Sequence, residues 1–365
     1  MKVALVYDRV NKFGGAERVL LTLHNIFPEA PLFTLVYDSK SASWAKVFKI
    51  IPTFINKIPF MRSKHELLAP IAALGFETLD LSGYDVVISI TSSDAKAVLT
   101  KPGQLHICYC LTPTRYFWSG EKQYAQDIKF KIIPNWLHQY FRTTDLLISK
   151  RPDQYIAISN EVKRRIKKYY HRESSVIYPS IDDKFYSKEF TQLNKRDYYL
   201  IVSRLVPYKK VDLAIRSFNK IKKTLLVVGT GSEENNLKKI AGKTIEFVGA
   251  VDDNQLVSLY KNAKAVIFPQ MEDYGLVPIE SQACGTPVIA FGKGGALETI
   301  IENKTGVFFD EQTVESLVKA INKFEKLSIN SQDCHKNSLR FNNQAFKKSF
   351  LNYFTNATAK ISSTN

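Results

Sequence analysis

Two carboxylates separated by seven residues carry the densest chemistry in this sequence. Glu272 and Glu280 lie in the stretch 269–295, PQMEDYGLVPIESQACGTPVIAFGKGG, with Gly275 between them. The pair is consistent with acid/base catalysis, with binding of sugar hydroxyl groups, or with charges placed at a helix N-terminus. A carboxylate accepts two hydrogen bonds well, so it suits the vicinal diol of a ribose or a hexose. The spacing alone leaves the three interpretations open.

Two cations form a second candidate group. Arg204 and Lys209 follow a strand-like run in SRLVPYKKVD, and Pro207 turns the chain between them. A guanidinium fork and an ammonium group at one strand end suit a diphosphate. A solvated loop is the alternative, because lysines recur along this chain, as at Lys222-Lys223.

A glycine pair, Gly14-Gly15, lies between the first predicted strand and the first predicted helix. Glycines there let the backbone approach a phosphate or a sugar closely, and the helix N-terminus adds positive potential. An ordinary strand-to-helix turn explains the pair equally well, because the full G-x-G-x-x-G pattern is absent.

Other chemistries find little support in the residue spacings. The six histidines show no HxH or HxxxH pattern, so no metal site is predicted. The four cysteines have no framework spacing, and Cys108 and Cys110 lie in an apolar run that predicts a buried strand. No GxSxG nucleophile pattern is present.

The elements that must position these residues alternate between strand and helix, which predicts a parallel, doubly wound sheet in each half of the chain. Pro278 suits the first position of a helix and Gly285 its end. The backbone N–H groups of Gly275, Leu276 and Val277 would then point at a bound anion. The predicted strands are Val3–Tyr7, Leu32–Val36, Asp85–Ile90, His106–Cys110, Tyr155–Ile158, Val176–Tyr178, Tyr198–Ser203, Thr224–Val228, Thr244–Val248, Ala265–Phe268, Val288–Phe291 and Val307–Phe309.

The length of 365 residues predicts two domains. A turn-rich stretch at 178–183 places the boundary, so we expect domains at 1–179 and 180–343. A final helix is predicted at about 344–361, because Phe346, Phe350, Tyr353 and Phe354 share one helical face.

The net charge of +16 favours polyanionic partners, namely nucleic acid, anionic lipid or phosphorylated ligands. Most of the excess falls in residues 1–180, and no nucleic-acid-binding motif accompanies it. No apolar run is long enough to span a membrane and no N-terminal signal is recognisable, so a cytoplasmic protein is expected.

Taken in order, these motifs resemble the GT4 family of glycosyltransferases, which have the GT-B fold. The matching segments run from Gly14 to Glu298 and comprise GGAER, SRLVPYKKVD, FVGAVDD, EDYGLVPIE and ACGTPVIAFGKGGALE. The segment 109–118, YCLTPTRYFW, is similar to a subgroup of mannosyltransferase-like enzymes in the assembly of O-antigen, a part of lipopolysaccharide, and capsular polysaccharide.

The resemblance implies two Rossmann-like domains facing a cleft, with the C-terminal helix crossing back to the N-terminal, acceptor-side domain. It implies a retaining hexose transfer, mannose favoured, from a GDP- or UDP-linked sugar to a lipid-linked or polysaccharide acceptor, without a metal or a cofactor. Together with the charge, it predicts an enzyme that contacts the anionic inner face of the plasma membrane.

The resemblance also implies a role for each candidate residue. Glu280 matches the glutamate that holds the nucleotide ribose, and Glu272 the one that faces the donor sugar. Arg204 and Lys209 match the pair on the diphosphate. Gly15, beside Gly14, matches the glycine near the donor phosphates. The backbone of Gly275, Leu276 and Val277 would stabilise phosphate and sugar hydroxyl groups.

One departure from the family pattern keeps two other functions open. Leu111 stands where relatives usually carry a histidine that contacts the donor sugar, and Lys210 stands where many carry glycine. His106 lies an odd number of residues before Leu111, so its side chain should point to the opposite face of the strand. The alternatives are a GT-B nucleotide-sugar epimerase and a non-catalytic paralogue that binds nucleotide-sugar.

Overall fold

The computed structural model describes residues 1–58, 69–115, 117–118, 135–186 and 197–362. Of the basic and aromatic stretch 129–140, KFKIIPNWLHQY, residues 129–134 lie outside this description. Contacts divide the chain into two units, Met1–Ser180 with Phe346–Asn365, and Ile181–Ala345.

The first unit is built on a parallel sheet of seven strands in the order β3-β2-β1-β4-β5-β6-β7. Aliphatic and aromatic residues dominate these strands, as expected for a sheet covered on both faces. The strands are β1 Val3–Tyr7, β2 Leu32–Thr34, β3 Ile50–Pro52, β4 Val86–Thr91, β5 Leu105–Cys110, β6 Gln154–Ala157 and β7 Ser175–Val176.

Within the described residues, four helices lie between these strands in the sequence: α1 Gly15–His24, α2 Ala69–Glu77, α3 Asn135–Ile148 and α4 Asn160–Arg165. Helix α1 buries Val19, Leu20 and Leu23, whose spacing gives one apolar face. Short 3₁₀ or π turns occupy Ser43–Val47, Phe54–Lys57, Ala95–Ala97 and Ile166–Tyr170.

The second unit repeats the architecture with a six-stranded parallel sheet in the order β10-β9-β8-β11-β12-β13. Its strands are β8 Tyr199–Val202, β9 Leu225–Val228, β10 Ile245–Gly249, β11 Ala265–Phe268, β12 Val288–Phe291 and β13 Gly306–Phe309. Its helices are α5 Val211–Ile221, α6 Glu234–Ile240, α7 Asp253–Asn262, α8 Leu276–Ala283, α9 Ala296–Thr299, α10 Val314–Glu325 and α11 Ser331–Ser338.

The core of this unit joins the sheet to α5 and α10. Phe218 of α5 is fully buried and packs on the ring of Tyr199 in β8, with ring centroids 5.1 Å apart. Ile321 of α10 and Phe309 of β13 belong to the same buried cluster. This packing fixes the strand ends, and the loops at those ends carry the candidate residues.

The last helix, α12 Asn343–Ser362, packs against the first unit. Phe346 and Phe350 contact the ring of Tyr109 in β5, and Phe350 and Phe354 contact Phe27. The return of the C-terminal helix to the N-terminal unit is therefore confirmed. Among the described helices, none has the length and apolar character needed to cross a bilayer.

All twelve predicted strands are present, with ends that differ from the prediction by at most two residues, but β3 was not predicted. Ile50–Pro52 has only three residues and pairs with β2 at the edge of the sheet. A short segment ending in proline carries little strand signal, because proline within sheets is confined to edges and strand ends.

Candidate functional site

The acidic loop, residues 269–275, leaves the carboxyl end of β11 and leads directly into α8. Gly275 precedes the first helical residue with φ +86°, a backbone conformation that favours glycine. Helix α8 begins at Leu276, so Pro278 is its third residue and the prediction of Pro278 at the first position is wrong. Glu280 accordingly lies in the second helical turn. The first N–H groups of a helix lack intrahelical partners, so Leu276 and Val277 present N–H groups at this end of the sheet.

The glycine loop after β12 holds the acidic loop by close backbone contact. Gly294 and Glu272 form a parallel β-bridge, and the N–H of Gly295 donates to the carbonyl oxygen of Glu272 at 2.9 Å. A Cβ atom on Gly295 would lie 2.2 Å from the carbonyl oxygen of Tyr274. The two glycines therefore allow the backbone of Glu272 to be fixed from a neighbouring loop.

The basic loop, residues 203–210, connects β8 to α5 and contains a 3₁₀ turn at Pro207–Lys209. Lys210 follows with φ +54°, a left-handed backbone conformation that favours glycine. Arg204 donates from Nη2 to the Tyr208 hydroxyl at 2.5 Å. Its guanidinium makes no ion pair with any residue that the structure describes, so an anion can still bind there.

The basic and acidic loops meet at an ion pair between Lys209 Nζ and Glu272 Oε1. The two side chains are 13% and 22% exposed, so the pair lies in a partly shielded recess. Gln270 also donates to Glu272 Oε1, from Nε2 at 3.1 Å. The structure thus brings one predicted cation to one predicted carboxylate across 63 residues of sequence.

Glu280 occupies a more enclosed position on α8. It is 6% exposed, and its Oε2 accepts a hydrogen bond from the hydroxyl of Tyr260 at 3.0 Å. Tyr260 is fully buried on α7. Glu272 and Glu280 therefore have different surroundings, one paired with a cation and the other bonded to a neutral hydroxyl group.

Gly14 and Gly15 belong to the first unit, at the carboxyl end of β1. Gly14 caps α1 in an extended conformation that any residue adopts, so positive φ does not explain the glycine. A Cβ atom there would lie 3.3 Å from Oε2 of Glu17. Glu17 is buried and accepts a hydrogen bond from the Tyr7 hydroxyl at 2.6 Å. This contact anchors the start of α1 to β1.

Leu111 directly follows β5 and is half-buried, and its N–H donates to the Thr91 carbonyl oxygen at 2.8 Å. His106 on the same strand is fully buried, with Nε2 2.8 Å from Ser89 Oγ. Burial lowers the pKa of His106 to about 3, with a further contribution from Arg151. It is a neutral residue of the sheet interior and does not replace a histidine at 111.

A polar cluster in the first unit was not predicted from the sequence. Asp145 is buried and accepts hydrogen bonds from Thr114 at 3.0 Å, Trp118 Nε1 at 2.6 Å and the Tyr170 hydroxyl at 2.9 Å. Lys96, also buried, forms an ion pair with it at 2.7 Å. The cluster ties the segment after β5 to α3.

Sequence reasoning also missed Gln270 and Tyr260. Gln270 stands two residues before Glu272, but a polar residue after a strand has no diagnostic spacing. Tyr260 lies 20 residues before Glu280 on another helix, so only the tertiary fold reveals the contact. Among the described residues, no group of three His, Cys, Asp or Glu side chains is placed to hold a metal ion.

The two parallel α/β sheets and the returning C-terminal helix define a GT-B fold, which solved structures support. Sucrose-phosphate synthase from Thermosynechococcus elongatus matches with TM-score 0.75 and 19% identity, covering 99% of this chain and 100% of that one. HepE from Anabaena, solved in complex with UDP, matches with TM-score 0.73 and 17% identity over 98% and 100%.

The model of the family described as glycosyl transferases group 1 matches residues 182–341, which lie in the second unit and make up less than half of the chain. The resemblance predicted from the motifs is therefore confirmed. A similar relative is the GDP-mannose-dependent α-(1-6)-phosphatidylinositol monomannoside mannosyltransferase of Mycolicibacterium smegmatis, 28% identical over 161 residues. The match covers 39% of this chain and 42% of that enzyme, less than half of either.

Proposed function

We propose that this chain is a retaining hexosyltransferase that uses a nucleotide-diphospho-sugar, with mannose as the favoured sugar. The observation that supports it best is the meeting of Lys209 and Glu272 beside the N-terminus of α8. A cation, a carboxylate and free helix N–H groups at one sheet edge suit a ligand that combines a diphosphate with hydroxyl groups.

The proposed chemistry assigns leaving-group stabilisation to the basic loop. When the bond between the sugar and the diphosphate breaks, negative charge grows on the departing phosphate. Arg204, Lys209 and the N-terminus of α8 would meet that charge, so the reaction needs neither a metal nor a cofactor. Preorganised cations of this kind are the usual source of the largest rate effects in group transfer.

The carboxylates would hold the donor. Glu280, buried beside Tyr260, suits the ribose diol, because an enclosed carboxylate oxygen binds a hydroxyl group more strongly than an exposed one. Glu272 suits a hydroxyl group of the hexose. Its pairing with Lys209 favours a binding role over a role as a general acid.

Mannose and a GDP donor are favoured because the mycobacterial relative is named as a GDP-mannose-dependent mannosyltransferase. A UDP donor is the other choice, since HepE was solved with UDP. The proposed acceptor is a lipid-linked glycan or a polysaccharide, on the basis of the 109–118 segment. We place the enzyme in the cytoplasm, at the inner face of the plasma membrane.

A thermal-shift panel of GDP-, UDP- and ADP-sugars tests the donor assignment. The matched donor should raise the melting temperature more than the others, because ligand that binds only the folded state stabilises it by mass action. If no nucleotide-sugar shifts the melting temperature, the proposal is wrong. Co-sedimentation with vesicles tests the membrane assignment, which fails if binding is independent of anionic lipid.

Leu111 favours one second candidate, a non-catalytic protein that binds nucleotide-sugar. The Leu111→His variant separates the two candidates in an assay of sugar transfer. Wild-type transfer above background rules out the second candidate. Transfer that appears only in Leu111→His supports it.

A further inference from the structure

The two carboxylate oxygens of Glu272 have different partners. Oε1 accepts hydrogen bonds from both Lys209 and Gln270. Oε2 makes no hydrogen bond or ion pair with any of the described residues. Because Glu272 is 22% exposed, this second oxygen is available to a ligand. Oε1 is therefore held by two side chains, whereas Oε2 can accept a hydrogen bond from a ligand.

Gln270 is an unusual choice for the anchoring residue. It lies just after β11 and is 2% exposed, while its Oε1 is buried with no partner among the described residues. A flipped amide would place Oε1 against the Glu272 carboxylate and leave the NH₂ group without a partner. The observed orientation therefore stands.

A half-satisfied amide in a buried position destabilises the fold relative to an apolar side chain of the same size. Packing alone would thus favour methionine or leucine at position 270. Among the residues that the structure describes, the hydrogen bond to Glu272 is the one compensating contact of the amide. The hydrogen bond to Glu272 therefore explains why position 270 carries an amide.

Lys209 cannot hold Glu272 by itself once a donor is bound. In the proposed function its ammonium turns to the diphosphate, and a flexible four-carbon stem permits that movement. Gln270 is short, buried and two residues from Glu272. The backbone of Glu272 is held by Gly294 and Gly295. The amide therefore remains as the contact that fixes the carboxylate.

We propose that Gln270 is a positioning residue: it keeps the Glu272 carboxylate oriented when Lys209 binds diphosphate, so that Oε2 faces a hydroxyl group of the donor hexose. This inference rests on the proposed function, and it adds a residue that discriminates a nucleotide-sugar from the bare nucleotide.

The test compares ligands with and without the hexose. Isothermal titration calorimetry gives dissociation constants of wild type and Gln270→Met for GDP-mannose and GDP, and for UDP-glucose and UDP. For the pair that wild type binds, Gln270→Met should weaken the nucleotide-sugar about tenfold, as for loss of a hydrogen bond to a charged group. The bare nucleotide should change by less than about twofold, since it lacks the hexose.

A double-mutant cycle shows whether the effect passes through Glu272. In a Glu272→Ala background, Gln270→Met should have no further effect on the nucleotide-sugar. Gln270→Asn, one methylene shorter, retains an amide but cannot reach Glu272, and it should reproduce the selective loss. The ratio of two dissociation constants measured on one sample is insensitive to a partly unfolded fraction.

Two results would contradict the role of Gln270 without contradicting the proposed function. One is an equal loss for nucleotide-sugar and bare nucleotide, and the other is a full additional loss in the Glu272→Ala background. If wild type binds no member of either pair, the proposed function is wrong and the inference falls with it.

Discussion

At the scale of single residues, the ion pair between Lys209 and Glu272 shapes the expected chemistry. The two predicted groups are partners before any ligand arrives. A lysine that leaves a carboxylate for a diphosphate exchanges one anion for another, so its contribution to ground-state affinity is small. Its contribution grows as charge develops on the leaving group.

Lys209→Ala should therefore lower kcat far more than it weakens donor binding. Loss of one preorganised donor to a developing charge typically costs about 10²–10³ in kcat. The rate of GDP release from GDP-mannose gives kcat, and calorimetric titration gives the dissociation constant of the donor.

Lys238→Ala is the matched control, because Lys238 forms an ion pair with Glu234 at 2.7 Å on an exposed helix face of the same unit. It should leave both quantities unchanged. A Lys209→Ala enzyme with wild-type kcat and a raised dissociation constant contradicts the assignment.

Glu280→Gln should weaken binding of the bare nucleotide. The amide keeps one acceptor but loses the charge, so its hydrogen bonds to ribose hydroxyl groups weaken. A hydrogen bond to a charged group contributes about 1.5–3 kcal/mol, equivalent to roughly 10- to 100-fold in affinity. Calorimetry with GDP and UDP measures the change.

The control is Glu246→Gln, an exposed carboxylate on the edge strand β10. It should bind nucleotide as wild type does. A Glu280→Gln protein with an unchanged dissociation constant rules out the ribose assignment.

At the scale of elements, the site depends on loops held at the carboxyl ends of strands. The glycine loop after β12 matters for the steric space it leaves, and less for unusual dihedral angles. Gly295 has φ −63°, which any residue adopts, but its missing Cβ makes room for the backbone of Tyr274.

Gly295→Ala should displace the acidic loop and lower both stability and donor affinity. The new Cβ atom would lie 2.2–2.6 Å from backbone atoms of Tyr274, and overpacking of this kind typically costs about 1–3 kcal/mol. Thermal melting and donor titration provide the measurements.

Gly292→Ala is the control in the same loop, because its Cβ would lie 3.4 Å from Phe308, an ordinary contact. This variant should behave like wild type. Wild-type donor affinity in Gly295→Ala would mean that the glycine loop does not position Glu272.

The sequence predicted the elements better than their exact ends or their mutual contacts. Apolar runs in the sequence identified every described strand except Ile50–Pro52, because burial along a strand leaves a local pattern. Pro278 was misplaced, since proline is also tolerated elsewhere in the first helical turn. Gln270 and Tyr260 were missed because their roles depend on side-chain contacts with Glu272 and Glu280, which no local spacing encodes.

At the scale of the whole molecule, stability should depend on pH through a residue with no proposed catalytic role. Burial lowers the pKa of His106 to about 3, whereas an unfolded histidine titrates near 6.5. Between these values the unfolded chain binds a proton that the folded chain does not. The stability contributed by neutral His106 is present above pH 6.5 and is lost as pH falls towards 3.

The expected slope is about 1.4 kcal/mol per pH unit, or about 2 kcal/mol between pH 7 and pH 5. All three tryptophans, at 44, 118 and 136, belong to the first unit, so tryptophan fluorescence follows the unfolding of that unit. His106→Gln, which has no titrating ring, should show a shallower loss of stability than wild type over this range.

Ser89→Ala provides the matched comparison, because it removes the hydrogen bond to His106 and leaves the ring buried. It should lower stability at every pH and retain the wild-type slope. Equal slopes in wild type and His106→Gln would show that buried His106 does not govern the acid sensitivity of the first unit. The ring of His106 is buried in both wild type and Ser89→Ala. If Ser89→Ala also lost the pH dependence of stability, the hydrogen bond from Ser89, and not desolvation of the ring, would be its cause.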